Sequence, residues 1–335
     1  MMKKIDIIWQ ELEQDPSVQN GLILRRYSPY VLPNVFVAIR FPEKHRCLAA
    51  FIDNSIKPDI SSFSTLQDIR IEIMPDKADE NKQILLFAIL TKQYEDIFSV
   101  LCEDLLEALS DGMSDLKLSR ELINRFEKWK SLFEQAGSQG LNSSEQIGLY
   151  GELIFLRKLL QKSANLNSAV LSWVGPEKKI RDFQLGSWGV EVKTTHGNNP
   201  QKLHISNERQ LDTSNIENLF LAHVSLNLAQ RSGETLNSIV SSISDILSAD
   251  LTFLNRFKAK LLYAGYFEKH KSLYDDIGYF IRSEDYYMIE NDFPRIEEKD
   301  IRQGVGDVKY SIIISQCSGF VINESDVIQR FTTYG

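Results

Sequence analysis

Residues 180–195 read IRDFQLGSWGVEVKTT, and the layout of that stretch decides both the fold and the chemistry. Gly186 and Ser187 separate two runs, 180–185 and 188–195, so the segment reads as two strands joined by a tight turn. Side chains two apart on a strand share a face. Glu191 and Lys193 therefore point one way, and Val190, Val192 and Thr194 the other. Asp182 stands nine residues before Glu191, on the first strand of the hairpin, where its side chain lies across from Glu191. Two carboxylates and an amine are predicted on one patch.

That trio has a chemical logic. Phosphodiester hydrolysis needs an oxygen-loving cation to polarise the phosphoryl group and acidify a water. A hard ion such as Mg²⁺ binds through one or two carboxylates and keeps several waters. Asp182 and Glu191 suit that role, with the Val192 backbone carbonyl as a further ligand. Lys193 would orient the attacking water or stabilise charge developing on phosphate. An E-x-K pattern alone is weak, because alternating charges are common on exposed strands. The surrounding elements strengthen it.

Upstream, a helix begins near Ser143, and either Ser143 with Gln146 or Asn142 with Glu145 forms a capping box. The helix runs on through 147–156. Glu152 is its odd residue: its neighbours three and four positions away are Gly148, Leu149, Phe155 and Leu156. A carboxylate on such a face needs a partner. Pairing with a basic group, a plain surface position and a metal-site carboxylate all remain open from the helix alone. A strand is expected over 169–174, before the charged turn 177–179. Downstream, 203–206 leads to a helix start at 207–211 with Ser206 as N-cap, then a strand over 219–226. The resulting order is αβββαβ.

This order, with the motifs GLYGEL, WVGP, RDF, VEVKT and ISNERQL, resembles the PD-(D/E)XK, or restriction-endonuclease-like, superfamily. Within it the motifs are similar to a bacterial group of largely uncharacterised PD-(D/E)XK proteins found in gene clusters like restriction–modification systems. The motif resemblance covers about residues 147–211. It implies an α/β (α+β overall) chain with a restriction-endonuclease-like αβββαβ core and a metal-dependent endonuclease activity on DNA, in restriction or phage defence. It makes Asp182 and Glu191 metal ligands, Lys193 the catalytic lysine, and Glu152 and Gln210 further site residues. Mg²⁺ is the implied cofactor, with Mn²⁺ as substitute. DNA, other restriction or defence-system subunits and a second copy in a homodimer are the implied partners. Arg181 stands where proline precedes the aspartate in the family pattern. The alternative is a catalytically inactive nuclease-fold protein that recognises DNA or a partner.

The rest of the chain sets the frame. Its 335 residues suggest two domains, divided in the small, polar stretch 136–144 into 1–136 and 137–335. The first ninety residues read as strands, with apolar runs at 35–41, 48–52, 69–73 and 84–90. Helical stripes follow, one through Tyr94, Ile97, Phe98, Leu101, Leu105 and Leu109, the other through Leu118, Leu122, Phe126, Trp129 and Phe133. A net charge of −8 argues against a protein that coats nucleic acid non-specifically. Three separated cysteines, no signal-peptide pattern and no membrane-length apolar run point to a cytoplasmic protein without a disulfide framework. Of five histidines, His204 and His223 read as core or surface residues. His196, just past Lys193, is a weaker site candidate. Tyr279, Phe280, Tyr286 and Tyr287 read as core packing before base stacking.

Overall fold

A computed structural model describes residues 5–15, 20–28, 32–64, 66, 68–109, 112–136, 140–163, 165–197 and 201–334. Positions 137–139 of the expected boundary and 198–200 of the loop after Lys193 lie outside the described residues. The chain is mixed α/β and forms two compact units, Met1–Ser138 and Gln139–Gly335.

The first unit runs α1 (Ile5–Glu13), β1 (Gly21–Ser28), β2 (Leu32–Phe41), β3 (His45–Asp53), β4 (Ile69–Pro75), β5 (Lys82–Ile89), α2 (Glu95–Glu107) and α3 (Asp115–Ala136). Its sheet is antiparallel, in the order β1-β2-β3-β5-β4. The unbroken apolar run of β5 is buried on both faces, from Ile84 to Ile89. The expectation of strands throughout the first ninety residues fails at α1. There Ile5, Ile8, Trp9 and Leu12 recur at helical spacing and are buried. The Trp9 indole N–H, enclosed in the core, donates to the Ala38 and Cys47 carbonyls, each at 3.1 Å.

The second unit runs α4 (Ser143–Lys162), α5 (Leu166–Ser172), β6 (Phe183–Leu185), β7 (Trp188–His196), β8 (Lys202–Ile205), β9 (Asn218–Gln230), β10 (Glu234–Thr235), α6 (Leu236–Leu247), α7 (Leu251–Tyr263), β11 (Ile277–Met288), β12 (Tyr310–Ile313), β13 (Val321–Ile322) and α8 (Glu324–Tyr334). The main sheet is ordered β10-β11-β9-β7-β6, with β13 on β11, while β8 and β12 form a separate pair. β7 and β9 are parallel. The other neighbours are antiparallel. Among the described residues no helix is long and apolar enough to cross a membrane.

The two faces of β7 enter different cores. Val190 and Val192 join Phe220, Ala222 and Val224 of β9 in the larger one, against Leu153, Leu156 and Trp173. On the opposite face, the β7–β9 register sets Gly189 beside Leu219, Glu191 beside Leu221 and Lys193 beside His223. Leu219 and Leu221 belong to a smaller core with Leu203, Ile205, Tyr287 and Ile312. Glu191, with Lys193 and His223, is thus a polar group on a face that elsewhere closes over apolar side chains.

Two sequence expectations change. Residues 169–174 are not a strand: 166–172 form α5, and Trp173 makes only an isolated bridge to Phe183. The Asn165 side chain accepts from Ser168 N–H and caps the helix, and Ala169, Val170 and Trp173 bury one side of it. A short apolar run does not separate strand from helix by period. After β8, Asn207 rather than Ser206 caps the next turn, accepting from Arg209 N–H at 2.8 Å. That turn, Glu208–Leu211, is a 3₁₀ helix. β8, for which the sequence predicted no pairing partner, pairs with β12. Of the two capping boxes open for α4, the Asn142–Glu145 pair forms.

α4 approaches β7 closely because Gly151 has no side chain. A Cβ there would fall 1.9 Å from Thr194 Oγ1 and 3.1 Å from Thr194 Cβ. Gly151→Ala is expected to destabilise the protein by roughly 1–3 kcal/mol through overpacking, against a helix-propensity gain of up to about 1 kcal/mol. Adding Thr194→Ala should recover part of that loss. Additive melting shifts in the double variant would contradict this contact.

Candidate active site

The hairpin β6–β7 pairs Phe183 with Val190 and Leu185 with Trp188. Asp182, one residue ahead of β6, therefore comes opposite Glu191. Three backbone groups fix it. Its carbonyl accepts from the Val174 and Gly175 N–H groups at 2.8 and 2.9 Å. Its Oδ2 accepts from the Val192 N–H at 2.7 Å. On a strand the N–H and C=O of one residue point to the same side, so the Val192 carbonyl also faces the Asp182 edge.

Glu152 arrives from α4. Its Oε2 accepts from the Trp173 indole N–H at 2.6 Å. A Cβ on Gly175 would stand 3.0 Å from Asp182 Oδ1 and 3.1 Å from Glu152 Oε2. Both carboxylates thus flank one glycine, and a larger residue there would have to displace them. The turn carrying Gly175 is itself pinned: buried Lys260 of α7 donates to the Trp173 carbonyl at 2.5 Å and to Glu177 at 2.6 Å.

Glu191 and Lys193 share a face, as the strand period requires. Lys193 Nζ donates to Glu191 Oε1 at 2.6 Å and to Gln210 Oε1 at 3.2 Å. The Ser206 N–H also donates to Gln210 Oε1, at 3.1 Å. Asp182, Glu191, Lys193, Gln210 and Glu152 are thereby linked in one constellation. His196 is exposed at the end of β7 and alternates away from Lys193. His223 is buried beside Lys193 in register, with its Nε2 2.8 Å from Thr195 Oγ1. Tyr279, Tyr286 and Tyr287 are buried, as core packing requires, whereas Phe280 is exposed.

The electrostatics follow from burial. Glu191 is fully buried, and desolvation, then the Asp182 charge, push its pKa up to about 8 although Lys193 pulls it down. Desolvation likewise raises Glu152 well above the usual carboxylate range, with Asp182 adding to it. Asp182 is raised by desolvation against the opposing pull of Lys193. For Lys193, burial works against the charge, but Glu191 and Asp182 outweigh it and hold the pKa above its ordinary value.

Two neighbours lie in motifs that the sequence singled out, WVGP and RDF, but received no site role there. Trp173 holds Glu152. Arg181 is buried beside Glu191 and donates to the Asp212 carbonyl at 2.5 Å. Its guanidinium is a buried counter-charge to Glu191.

These residues fit a hard divalent cation. The donors are all oxygens, three carboxylates face one lysine ammonium, and buried Glu191 Oε2 has no hydrogen-bond partner among the described residues. Among the described residues no three His, Cys, Asp or Glu side chains close around a common centre. Two carboxylates and a carbonyl suffice for an ion that retains water.

No curated protein and no solved structure matches the chain. Residues 5–315 match a family described as "Putative PD-(D/E)XK family member, (DUF4420)". With that match spanning both units, the chain belongs to this PD-(D/E)XK family.

Proposed function

We propose that this protein is a divalent-metal-dependent nuclease hydrolysing phosphodiester bonds in DNA, built on a restriction-endonuclease-like core and working in bacterial restriction or phage defence. The observation that carries the reading is the Asp182–Glu191–Lys193 constellation at the β6–β7 hairpin, with Glu191 Oε2 buried and unpartnered. Asp182, Glu191 and the Val192 carbonyl would hold Mg²⁺ or Mn²⁺. Such an ion supplies Lewis acidity and lowers the pKa of a water.

The chain's own groups do the rest. Lys193, held between Glu191 and Gln210, presents a fixed positive charge to the substrate phosphate and the attacking water. Gln210 limits where that ammonium can swing. Glu152, anchored by Trp173 and flanking Gly175 with Asp182, is a further carboxyl group whose charged form a bound cation would favour. Domain roles follow the same reading: residues 137–335 would carry the cut, and residues 1–136 would contact DNA or a partner subunit. A homodimer would place two such sites on opposite strands.

The test is cleavage of DNA by the purified chain in Mg²⁺ or Mn²⁺, stopped by EDTA, with Mn²⁺ binding followed by calorimetry. Asp182→Asn keeps the side-chain shape but removes a ligand charge. It should weaken Mn²⁺ binding at least about tenfold and cutting with it. Binding equal to wild type would remove Asp182 from the metal site. A chain that binds Mn²⁺ and DNA yet cuts no substrate would favour the recognition-subunit reading.

A further inference from the structure

We infer that Arg282 binds a backbone phosphate of the nucleic-acid strand, next to the phosphate that Lys193 faces. The inference rests on the DNA reading above and gives the substrate a second anchoring point. Glu191, Lys193 and Thr195 share one face of β7. The register sets His223 of β9 beside Lys193, and Ser225 beside Thr195. Thr195 Oγ1 stands 2.8 Å from His223 Nε2, so these side chains meet on that face. The face opens along its length. Glu191 is fully buried, Lys193 and Thr195 are partly buried, and β7 ends at exposed residues 196 and 197. In the other direction it closes over Leu219 and Leu221 of the smaller core. A strand that reaches Lys193 therefore passes over the Thr195 end.

Arg282 stands at that end. Ile281 pairs with Leu226 and Ser283 with Ser225, so Arg282 is the extra residue of a β-bulge. Bulges re-aim side chains, and this one turns Arg282 onto the Lys193 face. Its Nε donates to Ser225 Oγ at 2.9 Å, and its Nη1 donates to the Gly197 carbonyl at 2.8 Å. Ser225 is fully buried and also accepts from Gln201 Nε2 at 2.6 Å, so the guanidinium leans on a fixed support. Both acceptors are neutral. Among the described residues no carboxylate pairs with Arg282, and its Nη2 makes no hydrogen bond. The residue is exposed. A planar fork that is held in place, open to solvent and uncompensated in charge suits the oxygens of a phosphate. Thr195 and Ser225 lie about 7 Å along the strands from Lys193 and His223, so the two cations serve different phosphates.

Binding of duplex DNA is measured across a salt series in a Lys193→Ala background, where cutting is too slow to interfere. Arg282→Met keeps the stem and removes the charge. It should weaken binding roughly tenfold, the scale of one charged hydrogen bond. It should also reduce the slope of log affinity against log salt by about one, the mark of one lost phosphate contact. Mn²⁺ affinity should stay unchanged. Arg282→Lys keeps the charge without the fork, so the slope should hold while affinity falls part of the way. A role confined to supporting the end of β7 would weaken binding in both variants and leave both slopes alone. An unreduced slope in Arg282→Met, or an equal reduction in Arg282→Lys, overturns the inference alone. An otherwise unaltered chain that neither binds nor cuts DNA overturns the DNA reading and the inference together.

Discussion

Lys193→Ala should lower metal-dependent DNA cleavage by roughly 10²–10³-fold or more, the cost of removing one preorganised charge from a developing oxyanion. The expected size follows from the setting. The Lys193 side chain is 15% exposed and its ammonium is bonded to Glu191 and Gln210, so no solvent cation can take its place at the same geometry. The variant should still fold at pH 6, where Glu191 can take a proton in place of its lost partner. Circular dichroism and a melting curve check that point. Cleavage at the wild-type rate on every substrate would remove Lys193 from the chemistry. Arg at this position should not rescue fully, because its planar fork does not reproduce a compact ammonium.

The second large effect is on stability against pH. Glu191 has an ordinary pKa of 4.5 when unfolded and about 8 when folded. Between these values the folded chain holds a proton that the unfolded chain has released. The stabilisation is therefore complete below about pH 4.5 and is lost as pH rises toward 8. Across that window the metal-free protein should lose on the order of 3–5 kcal/mol from this group. Asp182 and Glu152, also raised, act in the same direction. Lys193, raised from 10.5, contributes stability that is lost only above that range, so it does not reverse the sign. A divalent ion competes with the proton for the same oxygens. The rise in melting temperature on adding Mn²⁺ should thus be larger at pH 8 than at pH 6. Equal shifts at both pH values would contradict proton–metal competition at Glu191. In Glu191→Gln the pH slope should flatten and the Mn²⁺ shift should shrink.

The hairpin was legible in the amino-acid order because its information is local. Strand period alone puts Glu191 and Lys193 on one face and Val190 and Val192 on the other, and a two-residue turn brings Asp182 across. The Gly-rich start of α4 and the position of Glu152 were legible for the same reason. The apolar stripe of α2, that of α3 as far as Trp129 and the continuous run of β5 followed from periodicity and were found as expected, while the Phe133 side chain lies outside the described residues. α1 was missed although its stripe is regular, because the strand-like runs after it set the reading of the whole segment.

What the order of residues could not decide lies in contacts between distant segments. The choice of helix over strand at 166–172 depends on burial of Ala169, Val170 and Trp173 against α4 and α7, which propensity does not encode. The pairing of β8 depends on β12, a hundred residues later. Trp173 meeting Glu152 and Lys260 locking the Gly175 turn are products of that packing. So is the rise of the Glu191 pKa, since desolvation has no meaning before the face is covered. Alternation along 180–195 wrote the charged trio into the chain. The tertiary structure decided how deeply it is buried, and burial raises the pKa values of its carboxyl groups.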